Sequence, residues 1–88
     1  MLILEGKLLR AEKILALASV ELKPAGSFVQ ELETALRELC LKLDVPLPLW
    51  LDKNSKEFAK FRTTFFFPGQ FTEEIPFERF QIQLLERH

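Results

Sequence analysis

At 88 residues the chain has room for one small domain of about two layers, near the lower end of what a single core can hold together. Hydrophobic residues at 48% and charged residues at 28% exclude intrinsic disorder, and a net charge of -1 excludes the basic balance of a general nucleic-acid or acidic-membrane binder. A single cysteine, Cys40, excludes an internal disulfide and any multi-cysteine metal site, and no run approaches the ~18 apolar residues of a membrane span. A reducing, cytoplasmic setting is the expectation. Met1 to Arg10 carries Glu5 and Lys7 and has no uninterrupted apolar core before a small-residue cleavage site, so no signal peptide is expected.

The first predicted element is a hairpin of Leu2 to Leu9 and Glu12 to Leu22. Ile14, Ala16, Ala18, Val20 and Leu22 alternate with Ser19, Glu21 and Lys23 at the period of a strand with one buried face. Leu15 and Leu17 are apolar on the other face as well. A helix from Leu8 to Val20 is the rival, but on a helical wheel its charged residues leave no single polar face. Gly6 is the expected site of a bulge. Lys23-Pro24-Ala25-Gly26 then breaks the chain, and Ser27 followed by Gln30 has the spacing of a capping box. The helix that follows carries Phe28, Val29, Leu32, Ala35, Leu36, Leu39, Cys40 and Leu43 at spacings of three and four, the stripe that packs on a sheet.

Pro46 and Pro48 forbid helix in the apolar connector Asp44 to Leu51. Asn54 and Glu57 repeat the capping pattern for a short second helix, with Phe58 and Phe61 inward and Lys53, Lys56 and Lys60 outward. Thr63 to Phe67 and Phe77 to Leu85 read as strands, the second with Phe80, Ile82 and Leu84 inward. The order is ββααββ: one α+β domain spanning residues 1-88, a small antiparallel sheet with one long and one short helix on one face. Two helices shield one sheet face, and Leu15, Leu17 and Phe66 place apolar groups on the other. A homodimer that buries this surplus is the expected remedy, with a different protein partner as the variant.

Material for catalysis is scarce. His88, at the chain end, is expected to be frayed and without a role, and Cys40 lies on the buried stripe, so neither a Cys-His pair nor a zinc site assembles. The acids Glu73, Glu74 and Glu78 gather about a turn, and Glu31, Glu33 and Glu38 lie on a solvated helix face. Neither set identifies a hydrolytic pair. Gly6, Gly26 and Gly69 are isolated, so no phosphate-cradling loop exists. No enzyme activity, cofactor, metal or membrane contact is expected.

Eight of the nine phenylalanines fall between Phe58 and Phe80. In KNSKEFAKFRTTFFF, Lys53, Lys56, Lys60 and Arg62 accompany Phe61, Phe65, Phe66 and Phe67, which is the chemistry of single-strand nucleic-acid binding: charge along the backbone and rings under the bases. The plainer interpretation is a solvated lysine face over a phenylalanine core. Trp50 either anchors a partner or closes the domain's own core. The candidate interface residues are Leu15, Leu17, Trp50, Phe66 and Phe71.

PLPLWLDKN, KEFAKFRTTFFFPGQF and PFERFQIQLLE, between Pro46 and Glu86, resemble a group of small bacterial hypothetical proteins that share an LWL-x-KN and an Arg-Thr-x-Phe-Phe stretch. The resemblance implies a bacterial cytosolic protein and transfers no catalytic or binding residue. The expected function is a non-enzymatic, self-associating interaction domain. The alternative is a nucleic-acid-binding accessory protein.

Overall fold

A computed structural model describes residues 1–87; His88 lies outside the described residues. The elements are β1 (Leu2–Arg10), β2 (Lys13–Glu21), α1 (Phe28–Leu43), α2 (Asp52–Phe61), β3 (Thr63–Phe66), a single 3-10 turn at Pro68–Gln70, and β4 (Arg79–Glu86). The four strands form one antiparallel sheet in the order β2-β1-β4-β3. The chain is therefore α+β, and residues 8–20 run strand, turn, strand rather than helix.

β1 and β2 turn through Ala11 and Glu12, both left-handed at φ 48° and 67°. That is the backbone of a tight primed hairpin turn, which ordinarily recruits glycine or asparagine because a Cβ costs about 1 kcal/mol or more per residue there. The Glu78 carboxylate accepts from the Ala11 N–H and helps hold the turn. A two-residue turn without glycine or asparagine carries no sequence signal.

The expected bulge at Gly6 is displaced. Gly6 pairs regularly with Ala18 and Ile82, and the register shifts instead between Leu8 and Leu9. Gly6 serves close packing: a Cβ there would lie 2.7 Å from Leu39 Cδ2 and 2.9 Å from Phe80 Cε1. The real bulge moves one side chain across the sheet. Leu8 pairs with Ala16 and Leu9 with Ile14, which leaves Leu15 as the extra residue. Directly opposed residues share a face, so Ile14 joins Leu9 on the face away from the helices, where alternation alone would have placed it inward.

Ser27 caps α1 by accepting from the Gln30 N–H, and Asp44 ends the helix in a left-handed conformation. Ala35, Leu36, Leu39 and Cys40 are buried against Leu4, Leu8, Val20, Phe80, Ile82 and Leu84 of the sheet. Phe28 and Val29, expected on this stripe, stay exposed, because the first turn of α1 overhangs a groove beside α2. α2 contributes Phe58 to the same cluster, whereas Phe61 is 61% exposed. The core thus occupies one side of the sheet, and no helix covers the other side among the described residues.

Candidate functional surfaces

Two of the five candidate interface residues leave the surface altogether. Phe66 is fully buried and Phe71 is 8% exposed. Phe66 stands opposite Phe80 on the helix side of the sheet, with ring centroids 5.7 Å apart, so the expectation that it faces outward is corrected. Phe71 packs edge-on against Phe77. Trp50 is half-buried; its ring lies 5.9 Å from Phe58 and 5.6 Å from Phe66, and its indole N–H donates to the Ser55 hydroxyl at 2.7 Å. It closes the core from the connector, which is the commoner use of such a residue.

Leu15 and Leu17 are the two that remain outside, at 49% and 57% exposure, and the bulge adds Ile14 at 56%. All three lie on the uncovered sheet face, at the edge strand β2. Buried Ile3 also lies outside the helix-side cluster, on the face that Glu5, Lys7 and Leu9 share. Toward β4 and β3 the same face mixes Gln81, Gln83 and Thr63 with half-buried Phe65 and Leu85. Sequence alternation located Leu15 and Leu17 but could not find Ile14, because nothing in the residue order marks where a bulge falls.

The backbone at this edge is open too. Leu22 donates to the Leu2 carbonyl, so alternate residues upstream, from Val20 back to Ala16, bond toward β1. Leu17, Ser19 and Glu21 therefore direct their N–H and C=O groups away from the sheet. Among the described residues, one group bonds to this row: the Lys42 ammonium, which donates to the Ser19 carbonyl at 2.9 Å.

The opposite edge is tied at the Phe65 carbonyl, and at Phe67 just past the strand, by a network that sequence reasoning missed. Asn54 was expected to cap α2, but it is the third residue of that helix and is fully buried. Its Oδ1 accepts from the Leu51 N–H at 2.9 Å, and its Nδ2 donates to the Phe65 carbonyl at 3.0 Å and to the Thr64 hydroxyl at 2.8 Å. Gln70 completes the network: its Oε1 accepts from the Phe67 N–H at 3.1 Å, and its Nε2 donates to Asn54 Oδ1 and to the Leu49 carbonyl. The Thr64 hydroxyl donates in turn to Glu57 at 2.6 Å. Among the described residues no buried side-chain polar atom lacks a partner, so these amides are spent on one another.

Lys53, Lys56, Lys60 and Arg62 are all exposed on or just after α2. Two of them lie against aromatic rings. Lys53 Nζ is 4.5 Å from the centroid of Phe67 and Lys60 Nζ is 5.2 Å from that of Phe61, both of them exposed rings. Arg79 lies 5.5 Å from the centroid of half-buried Phe65. Such pairs are worth about 0.5–1 kcal/mol at exposed sites. Arg62 ends α2 in the left-handed conformation at φ 59°.

A third surface is an apolar groove of about 600 Å3 between α1, the connector and α2, lined by Phe28, Leu32, Leu47, Trp50 and Phe58, with Glu33 and Arg37 at it as well. Burial pushes the Cys40 thiol up to about 11, which keeps it protonated at neutral pH. Among the described residues no group of three His, Cys, Asp or Glu side chains could hold a metal ion, and no helix is long and apolar enough to cross a membrane. No family model, curated protein or solved structure matches the chain.

Proposed function

We propose that this protein is a non-enzymatic interaction domain that associates with itself, forming a homodimer through the β1–β2 hairpin. The observation that carries this reading is the exposure of Ile14, Leu15 and Leu17 together on a sheet face that no helix covers. Scattered surface leucines are ordinary, but a contiguous group of large apolar residues on an open sheet marks a contact surface. The non-enzymatic part rests on where the buried polar groups point: Asn54, Thr64 and Gln70 bond to one another and to backbone, an arrangement that holds a fold together. The resemblance of residues 46–86 would place the domain in a bacterial cytosol.

Solution mass by size exclusion with light scattering, at low and high salt, tests the reading directly. A dimer at both salt concentrations, converted to monomer by Leu17→Lys, is the expected outcome. A monomer across the accessible concentration range would refute it. Phe66→Lys is not a usable test, because a charge at a fully buried position would unfold the chain before it reported on any interface.

The second reading is a nucleic-acid-binding accessory role for Lys53, Lys56, Lys60 and Arg62. It is favoured by their placement beside the exposed rings of Phe61 and Phe67. Binding of labelled single-stranded oligonucleotides, followed by fluorescence anisotropy, should then fall steeply with salt as counterion release demands. Silence at low salt up to high micromolar protein would end this reading.

A further inference from the structure

We infer that the groove between α1, the connector and α2 binds a long-chain carboxylate, its hydrocarbon tail along the floor and its head on Arg62. The site lies on the helix side of the sheet, away from the hairpin face, so it stands or falls independently of self-association. The groove of about 600 Å3 shares Phe28, Phe58 and Ala59 with a second hollow of about 350 Å3 that Leu2, Leu84 and Arg62 complete. The two form one channel from Leu47 to Arg62, and each falls in the range of small-molecule sites, about 300–1,000 Å3.

The walls select a hydrocarbon chain over a peptide. Phe28, Val29, Leu47 and Leu49 all leave large apolar side chains exposed at this one concavity. The polar groups behind them are spent. The Trp50 indole N–H donates to Ser55, the Leu49 N–H donates to the Gln70 carbonyl at 2.7 Å, and the Leu49 carbonyl accepts from Gln70 Nε2 at 3.0 Å. Buried Pro48 has no N–H to offer. An extended peptide would bring backbone N–H and C=O groups to walls that cannot pair them, whereas an alkyl chain brings none. A partner helix, about 10–12 Å across, takes about 500 Å3 per turn, so the groove would take in little more than one turn of it.

Charge sets the direction of the chain. Glu33 and Arg37, one turn apart on α1, stand at the groove with opposite signs and offset each other. At the other end Arg62 is the charged residue of the lining. No carboxylate claims it: among the described residues the ion pair is that of Lys7 with Glu5. The Arg62 backbone is held on both sides, its N–H donating to the Phe58 carbonyl at 2.9 Å and its carbonyl accepting from the Leu84 N–H at 2.8 Å. A guanidinium rooted this way beside an apolar channel offers the planar fork that a carboxylate meets with two parallel hydrogen bonds.

Trp50 lines the groove and is the chain's single tryptophan, so its emission reports occupancy in the intact protein. Octanoate, decanoate and dodecanoate, titrated below their micelle concentrations, should each saturate one site and shift that emission to the blue. Each added methylene should tighten binding by about fourfold until the channel is full. Arg62→Gln should weaken decanoate by about tenfold and leave 1-decanol unchanged. Ala59→Phe, at an exposed position of α2 where the two hollows meet, should block both ligands while the circular dichroism stays that of wild type.

Decyltrimethylammonium keeps the tail and reverses the head. If it binds as tightly as decanoate, the groove is an indiscriminate apolar trap and the assignment falls. No saturable change in emission up to millimolar decanoate or dodecanoate overturns the site itself, as does binding that Ala59→Phe leaves intact. An amphipathic helical peptide that shifts the emission where decanoate does not would give the groove to a protein partner instead. Light scattering on the same samples separates this inference from the self-association reading: a monomer that binds decanoate overturns only the dimer, and a dimer that does not bind it overturns only the carboxylate site.

Discussion

The two edges of this sheet are finished in opposite ways. β3 is four residues long; the Asn54 amide bonds its outward Phe65 carbonyl and the Gln70 amide bonds the Phe67 N–H just past its end, both side chains being buried and tied to further partners. β2 is nine residues long, and its outward row is met by the exposed ammonium of Lys42. A seal made of buried amides belongs to the core and opens only when the domain unfolds. A seal made by one surface lysine is worth about 1 kcal/mol and can open while the rest stays folded. The difference shows which edge is available for a partner.

The largest expected effect comes from breaking the sealed edge. Asn54→Leu removes four bonds and strands the Phe65 carbonyl and the Leu51 N–H, which should cost about 3 kcal/mol in urea unfolding. If the loss were under about 1 kcal/mol, the network would not be what closes β3.

The turn that begins β2 should move in the other direction. Replacing Ala11-Glu12 by Asn-Gly relieves two left-handed non-glycine residues and should stabilise by about 1 kcal/mol, raising the thermal midpoint by several degrees. A lower midpoint would mean that these side chains do more than tolerate the turn.

On the open edge, Leu17→Lys should change the stability of the dilute monomer by no more than about 0.5 kcal/mol. The amides of Leu17, Ser19 and Glu21 should exchange with solvent far faster than that of Phe67, which bonds to Gln70. Equal protection at both edges in dilute protein would erase the contrast.

An effect silent at neutral pH and confined to alkaline pH concerns Cys40, on the helix that lies over β1 and β2. Its thiol is raised from 9.0 to about 11 by burial, so the folded state holds the proton more tightly than the unfolded chain. The stability this provides is complete below about pH 9 and is lost as pH rises toward 11. Titration of wild type against Cys40→Ala across that interval should show a steeper fall for wild type. At neutral pH the thiol should react with a thiol reagent only as fast as the region opens.

Much of the architecture was legible because it rests on local patterns. The alternation from Ala16 to Leu22, the Ser27 cap, the stripe from Ala35 to Cys40 and the alternation Phe80, Ile82, Leu84 each report a face or a terminus through neighbours in sequence. The surfaces were less legible. Phe66 and Phe71 resemble Phe61 and Phe67 in sequence context, yet the first two are core and the last two are exposed, since the depth of a ring depends on what packs above it. Asn54 was recognised as significant but placed at the wrong end of its function. A capping residue and a buried amide bridging strand and connector have the same side chain, and they differ only in what lies across space.

The sequence by itself determined a small α+β domain with an antiparallel sheet, two helices on one side and surplus apolar residues at Leu15 and Leu17. These follow from periodicity, capping and chain length, all of which act within a few residues. Only the tertiary structure decided that a bulge carries Ile14 to the same open face, that Asn54 and Gln70 tie β3 and the residue just past it, and that Lys42 alone meets the edge of β2 among the described residues. Those outcomes depend on contacts between residues far apart in the chain, whose energies no local pattern encodes.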